Sequence, residues 1–376
     1  MTGQPANARR GDVAYFVLLG ILALVYTALR YTFNPEFDAS FYQKIYDLVA
    51  PVPFGKRILM ALLARPLAGG GLSVARAFQA WEVISTFCLF AGLYRVFGLQ
   101  VEKSWARVLG AGFALILPLV FLLRNPFPYR FPWDTPAMAF IAWGTFFLLR
   151  GQWGQTAILM IVATLNRESA VLIPLLFGVM YFDRLPLRKL LLVGATLLAV
   201  YATVSWLVSL TLGDNLSYYG PNAMASLHKY GKWRLFINLA WLNFSIRNYL
   251  VLLATLGGLP LVFLAFLRWI PAHLRGFGLV ALFYFELLAC VGNLYESRIF
   301  GEIVTLLYIP AALGGGRYLR AGSPPDEFQL PGQANHWHPH RTRLEIAAVA
   351  VLLGLLIAGG LVLKAIPAPY TPPVPL

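Results

Sequence analysis

The chain has 376 residues, of which 59% are hydrophobic, 15% aromatic and only 12% charged. Soluble domains carry about twice that charged fraction, so the composition excludes a water-soluble protein and predicts an all-α, polytopic membrane protein with a single transmembrane domain. The net charge of +14 is spread over many short loops, which favours membrane lipids as partners and argues against nucleic acid.

Apolar stretches of about 20 residues, the length that crosses a bilayer, predict the membrane-spanning segments. The stretch 155–182 is too long for one crossing, and its centre carries Asn166, Arg167 and Glu168. We interpret it as two short helices that meet at a break, because broken helices at membrane depth line a cavity or a binding site. Counted as two segments, it brings the predicted total to about 11. The other nine segments are 13–31, 78–98, 107–123, 134–149, 189–212, 249–267, 276–292, 299–315 and 346–363.

The first large loop, roughly 32–77, predicts two helices that lie in the membrane interface. Its first half places Phe41, Ile45 and positions 48–49 on one face, as an amphipathic helix does. Two prolines end that helix before a second apolar run begins at Phe54. A further interfacial helix is predicted within 213–248.

Glu36 and Asp38 begin this first loop directly after the first predicted span. A carboxylate at such a boundary can act as a general base or hold a divalent cation, which is the one cofactor left open. The alternative is a solvated loop end, with Asp38 as the cap of the helix that follows.

Three arginines are candidates for binding phosphate, because a guanidinium can donate two hydrogen bonds to phosphate oxygens. They are Arg57, in the same loop as Glu36 and Asp38, and Arg124 and Arg130, in the next loop on the same side of the membrane. The alternative for each is snorkelling towards lipid headgroups. Asp134 directly precedes Thr135 and Pro136 at a predicted helix start, which indicates a capping role beside any catalytic one.

Asn166, Arg167 and Glu168 form the strongest single signal, because adjacent charges within an apolar stretch are costly to bury. Tyr295, Glu296 and Arg298 form a similar segment, with Glu302 nearby. For both segments the alternative is an ion pair that stabilises the helices. No metal site is assigned.

These acidic segments all fall on one side of the membrane when the predicted spans are threaded, so we interpret them as one site. The basic residues divide evenly between the two sides. Across the first span, however, Arg9 and Arg10 outweigh Arg30, which favours a cytoplasmic N-terminus. The site would then face the periplasm or a lumen, and the loop 316–345 would be cytoplasmic and flexible.

The layout resembles the GT-C superfamily of integral-membrane glycosyltransferases, which use polyprenyl-phosphate-linked sugars as donors. The family's acidic motif in the first outward loop is similar to Glu36-Phe37-Asp38, and its two interfacial helices are similar to 38–66. Asp134 is similar to a second functional acidic residue. The segments around 166–169 and 296–298 are similar to those of small bacterial members. The resemblance covers 13–315, and the chain departs from many members in ending with one more helix, 346–363.

The resemblance implies a transferase of the bacterial inner membrane with its site facing the periplasm. Asp38 would take the proton from the acceptor, a lipid, glycan or protein, with Glu36 and Asp134 as further catalytic residues. Arg57, Arg167 and Arg298 would stabilise the departing phosphate. The remaining candidates for substrate binding are Arg124, Arg130, Asn166, Glu168 and Glu296, with Tyr42, Trp133 and Tyr295 stacking on sugar.

Two other functions stay open. A polymerase or ligase of polysaccharide repeat units needs arginine-rich outward loops, which Arg124, Arg130 and Arg167 permit. A transporter or flippase of lipid-linked glycans would suit the broken helix at 155–182, although no second break and no internal repeat accompany it. An assembly subunit without chemistry would tolerate substitution of the carboxylates.

Overall fold

The computed structural model describes residues 6–37, 40–51, 54–122, 129–212, 246–294 and 296–321, and five positions between 235 and 242. Over these residues the fold is helical without strands, so the all-α prediction is confirmed for them. The helices are α1 (Ala6–Phe33), α2 (Phe41–Tyr46), α3 (Leu59–Gly69), α4 (Val74–Gly98), α5 (Lys103–Gly112), α6 (Leu117–Phe121), α7 (Asp134–Leu149), α8 (Trp153–Asn166), α9 (Leu172–Tyr181), α10 (Leu187–Leu212), α11 (Ile246–Thr255), α12 (Leu259–Ala265), α13 (Ala272–Val291) and α14 (Gly301–Ala321).

Six helical stretches in the described part of the chain are long and apolar enough to cross a membrane. A seventh results if α11 and α12, which bend by 75° at Gly257 and Gly258, count as one span. The predicted total of about 11 is therefore not confirmed. The six stretches are Gly11–Phe33, Val74–Gly98, Lys103–Phe121, Leu187–Leu212, Ala272–Cys290 and Ser297–Leu319.

The shortfall lies in α7, α8 and α9, which have 16, 14 and 10 residues. At about 1.5 Å per residue, each is shorter than the roughly 30 Å hydrocarbon core. Each of them counts as one segment in the sequence prediction, although the predicted bounds agree with the structure. The last predicted span, 346–363, lies outside the described residues.

The predicted break in 155–182 is present in the structure. Helix α8 ends at Asn166, and Arg167 is extended with φ −166° and ψ 151°. A 3₁₀ turn, Glu168–Val171, then leads into α9. Four consecutive polar side chains thus emerge where helical hydrogen bonding is interrupted, which is the arrangement that frees side chains and backbone for a site.

The first loop carries two helices as predicted, α2 and α3, with a 3₁₀ turn Phe54–Lys56 between them. Phe41 and Ile45 are buried, but Leu48 takes a left-handed φ of 60° just after α2 ends, and Val49 is exposed. The predicted apolar face is therefore shorter than expected. Both helices pack on α4, and their apolar side chains form a cluster with Phe131 and Trp133.

Helix α4 is central to the packing and contacts α1, α5 and α7 along its length. Helix α7 also packs against α8 and α14, while α9 packs against α13. The start of α7, the end of α8 and the start of α14 meet at one end of this bundle, as the ion pairs described below require.

Helix α14 continues to Ala321, so the predicted loop 316–345 begins too early. The glycines at 314–316 are part of this helix. Gly314 lets the segment with Phe266 and Ile270 pack closely against it. A Cβ on Gly314 would lie 2.9 Å from Ile270 Cγ1 and 3.1 Å from Phe266 Cβ. The rest of this loop, and most of 213–248, lie outside the described residues.

Candidate functional site

Asp134 is the first residue of α7, and only 1% of its surface is exposed. Trp133 occupies the N-cap position and no side chain caps the helix, so the predicted capping role of Asp134 is wrong. Its carboxylate instead meets arginines from three other parts of the chain.

The two oxygens of Asp134 have different partners. Oδ2 lies 3.2 Å from Arg30 Nη2 in α1. Oδ1 lies 3.5 Å from Arg167 Nη1, at the break after α8, and 3.8 Å from Arg298 Nη1, in the turn before α14. Asp134 therefore orients Arg167 and Arg298 side by side on one face of the carboxylate.

Each of these two arginines has a second acidic partner. Arg167 Nη1 lies 3.1 Å from Glu302 Oε1, and Glu302 is almost fully buried. Arg298 Nη2 lies 2.8 Å from Glu296 Oε2, and its Nε is buried with no hydrogen-bond partner. Several buried ions in one network restrain each other tightly, since moving one leaves its neighbours uncompensated.

Arg57 and Glu168 form the next pair, with Arg57 Nη2 3.1 Å from Glu168 Oε2. The Arg57 guanidinium also lies over the Trp133 ring, 4.9 Å from its centroid. Burial lowers the pKa of Arg57, and the carboxylate of Glu168 opposes this shift. The side chain stays a cation because an arginine pKa begins far above neutrality.

Two small cavities adjoin these residues and share one wall. The first, of about 30 Å³, is lined by Lys56, Arg57, Thr164, Arg167, Glu168, Ser205 and Val208. Its three cations outnumber its single carboxylate, so it favours an anion. The second, of about 10 Å³, is mainly apolar and is lined by Ala137, Phe140, Ile141, Ala163, Arg167, Ser169, Ala170 and Ile173.

Arg167 is thus common to a cationic cavity and an apolar one. The larger cavity has room for about two water molecules. A sugar ring requires more space, so the site is closed in this conformation. Lys56, which donates to Ser209 Oγ at 3.1 Å, and Arg57 are the parts of the wall that belong to the first loop.

Glu36 and Arg130 form a separate pair beside this network, 3.1 Å apart. Arg130 also donates to the carbonyl oxygens of Asn34 and Tyr31, and its Nε donates to the Tyr42 hydroxyl at 3.1 Å. These bonds tie the first loop to the second. Glu36 is therefore engaged by a cation that also holds the backbone of the first loop.

Tyr42 is buried against Phe78, and burial raises its pKa to about 12. Trp133 is fully buried, since Phe54 stacks on it at 5.7 Å and 17°. Neither ring is accessible to a sugar in this conformation. Freeing Trp133 requires Phe54 to move, whereas freeing Tyr42 requires α2 to separate from α4.

Asn166 is also fully buried, and its Nδ2 donates to the Trp133 carbonyl oxygen at 3.0 Å. This bond ties the end of α8 to the start of α7. Three further candidates, Asp38, Arg124 and Tyr295, lie outside the described residues. Among the residues that are described, no three His, Cys, Asp or Glu side chains come together as a metal site.

The structure thus brings together residues from all four polar segments of the predicted site, which are 36–38, 124–134, 166–168 and 295–302. Glu36 joins Arg130 of the second segment, and Asp134 joins the third and fourth through Arg167 and Arg298. These segments are far apart in sequence, so their contact is a property of the fold. It agrees with the interpretation of a single site.

Sequence reasoning missed three participants: Arg30, Glu82 and Lys56. Glu82 lies within the predicted span 78–98, where a carboxylate in an apolar stretch is itself a signal of function. Arg30 served only as a marker of orientation, although its position inside the first span carries the same signal. Lys56 has no such signal, because a lysine in a loop is ordinary.

Comparison of the chain with protein-family models, with curated proteins and with solved structures found no match. The membership of the GT-C superfamily therefore stays a prediction that rests on short sequence motifs and on the predicted layout of the spans.

Proposed function

We propose that this chain is a membrane glycosyltransferase that moves a sugar from a polyprenyl-phosphate donor to an acceptor hydroxyl. The observation that carries the proposal is the position of Arg167 in the walls of both cavities. A lipid phosphate has an anionic head and an apolar chain, and it needs both environments next to each other. A soluble anion would need only the first.

The cations support the chemistry of such a donor. The acceptor oxygen bonds to the anomeric carbon while the bond from that carbon to the phosphate oxygen breaks, and its electron pair leaves with the phosphate. Arg57 and Arg167, with Lys56, line the cationic cavity, and Arg298 lies beside Arg167 on Asp134. Fixed cations around a departing phosphate stabilise the transition state strongly.

The acceptor loses its proton to a base, and Asp38 is our candidate from sequence. Asp134 suits a different role, since its carboxylate is buried and engaged by three arginines. It holds Arg167 and Arg298 in place. Glu36, paired with Arg130, would likewise hold the first loop in register beside the base.

Donor entry requires the turn at Phe54–Lys56 to move, because the cationic cavity is too small for a sugar. The polar contacts that hold this turn from outside the first loop include the bond of Lys56 to Ser209 and that of the next residue, Arg57, to Glu168. An incoming phosphate can replace both partners of these cations, and the movement also uncovers Trp133.

The test is transfer of labelled sugar from polyprenyl-phosphate donors by the purified protein in liposomes. Arg57→Gln should lower the rate by about a hundredfold or more, the size expected for removing one preorganised charge. Arg65→Gln is the matched control, because Arg65 lies in the same loop but is exposed, and its one hydrogen bond among the described residues is to the Tyr46 carbonyl oxygen.

Equal rates for Arg57→Gln and wild type would remove the cationic cavity from the mechanism. A wild-type protein that transfers from none of a panel of hexosyl and pentosyl donors would overturn the proposal. If that protein instead moves intact lipid-linked sugar across the liposome membrane, the transporter reading replaces it.

A further inference from the structure

Glu82 lies in α4 and is 3% exposed, within a span that is otherwise apolar. It lines neither cavity. A carboxylate buried at such a position costs several kcal/mol in desolvation unless partners satisfy it. Here the partners are Arg30, whose Nη1 donates to Oε1, and the Thr135 hydroxyl, which donates to the same oxygen at 2.7 Å.

Arg30 connects Glu82 to the site. Its Nη1 faces Glu82 and Thr135, while its Nη2 donates to Asp134 Oδ2 at 3.2 Å and to the Phe131 carbonyl oxygen at 3.4 Å. The guanidinium plane lies against the Phe121 ring, 4.3 Å from its centroid. These contacts fix the position of Arg30, which therefore divides its charge between two carboxylates.

The binding of Arg30 to Oδ2 of Asp134 leaves the other oxygen, Oδ1, to Arg167 and Arg298. With Oδ2 held by Arg30, Oδ1 points to Arg167 and Arg298 at 3.5 and 3.8 Å. These are longer than hydrogen bonds of good geometry, so the two cations are oriented mainly by charge. The attraction of Asp134 for these two cations weakens as Arg30 neutralises more of the Asp134 charge, while Glu302 and Glu296 stay their nearer partners.

We propose that Glu82 is a positioning residue: it draws Arg30 away from Asp134 and thereby sets the charge with which Asp134 orients Arg167 and Arg298. The inference rests on the proposed function, because it assigns those two arginines to the departing phosphate. Without the charge of Glu82, Arg30 has Asp134 as its remaining acidic partner. The hold of Asp134 on Arg167 and Arg298 then weakens.

The decisive variant is Glu82→Gln, which keeps the shape of the side chain and an oxygen for Arg30 and Thr135. We expect kcat for sugar transfer to fall about tenfold to a hundredfold, the loss typical of removing a partner that orients a ligand-binding group. Glu82→Asp, which keeps the charge, should recover part of that loss. Glu286→Gln is the control, since Glu286 is an acidic residue of another span, α13, outside the network.

All rates are taken per folded, monodisperse molecule, because a purely structural role would lower the yield of protein and leave kcat per molecule unchanged. An unchanged kcat in Glu82→Gln overturns the inference. So does failure of both Glu82 variants to fold while Glu286→Gln folds, because Glu82 would then serve the fold alone.

A second readout needs no transfer and separates this inference from the proposed function. Asp134→Asn is combined with Glu82→Gln, and the Tm losses of the single and double variants are compared in detergent. Coupling through Arg30 predicts a double loss that differs from the sum of the single losses. If the Tm losses are additive, the inference is overturned, even where the wild-type protein transfers sugar. If the losses are coupled but the wild-type protein is inactive, the proposed function is overturned and the coupling of Glu82 to Asp134 stands.

Discussion

Asp134 is surrounded by three arginines that come from α1, the break after α8 and the turn before α14. Its carboxylate oxygens both face cations, and its surface is closed to water. A general base needs access to the group that it deprotonates, whereas a residue that orients cations needs only their contact. The geometry of Asp134 therefore favours an orienting role over that of a general base, the role that the sequence predicts for Asp38.

Asp134→Asn should lower the stability of the protein strongly. Removing one partner of a buried ion network leaves uncompensated charge, which costs about 3–5 kcal/mol. The measurement is the change in the free energy of unfolding in detergent. Asp12→Asn is the control, because Asp12 also pairs with two basic residues, Lys103 and Arg107, but is partly exposed. Its loss should stay below about 1 kcal/mol, and equal losses in the two variants would contradict the argument.

At this scale, sequence indicates which residues are unusual and does not indicate their partners. Arg167 and Glu168 stand out because they are charged within an apolar stretch, and the structure places both at the cavity. Yet the two pair with Glu302 and Arg57, not with each other. Partners so far apart in sequence are decided by which helix faces pack together, and one-dimensional patterns do not contain that information.

The break between α8 and α9 is the element that gives the site its shape. It exposes Arg167 to both cavities, and Asn166 fixes it to the start of α7 through the Trp133 carbonyl oxygen. A displacement of this junction would separate Arg167 from Asp134. The anchoring bond is therefore as relevant to the site as the charges themselves.

Asn166→Ala should lower the free energy of unfolding by about 1 kcal/mol, because the buried Trp133 carbonyl oxygen loses one of its two donors and keeps the Ala137 amide. Chemical denaturation in mild detergent measures the change. Thr196→Val serves for comparison, since the Thr196 hydroxyl is exposed and bonds only within α10. That control should stay within about 0.5 kcal/mol. An Asn166 variant as stable as the control would show that the junction is fixed by other contacts.

A glycine in α14 makes a separate test of helix packing. Gly314→Ala places a methyl group 2.9 Å from Ile270 Cγ1 and 3.2 Å from the Phe266 carbonyl oxygen, so the neighbouring segment must shift. We expect a loss of about 1–3 kcal/mol in stability. Gly178→Ala in α9, where the methyl group meets nothing within 4 Å, should be neutral or slightly stabilising. Similar Tm values for both variants would contradict this packing.

For the whole molecule, hydropathy and length were enough to predict six spans and the all-helical fold. They located α7 and the break between α8 and α9 as well, but they counted these short helices as separate membrane spans, for which the helices are too short. They also missed the bend of 75° between α11 and α12. The direction of the chain at Gly257 and Gly258 depends on their φ and ψ angles, which the composition does not determine.

The orientation of the molecule remains a prediction, and the fold supplies good positions for testing it. Asp12 pairs with Lys103, so the start of α5 lies at the same end as the start of α1, whereas α2 follows the other end of α1. In a variant without Cys88 and Cys290, Gln43→Cys should react with an impermeant thiol reagent from outside intact cells, and Ser104→Cys only after lysis. Both side chains are exposed. The reverse pattern would place the site in the cytoplasm.

The Arg30–Glu82 pair also bears on how the protein is made. Arg30 lies in the last turn of α1, and its nearest acidic partner along the chain, Glu82, follows 52 residues later in α4. Until α4 packs against α1, the Arg30 side chain can reach the membrane interface, as arginines near helix ends do. Its burial against Glu82 therefore belongs to the assembly of the helices, and the ion network that shapes the site forms at that step.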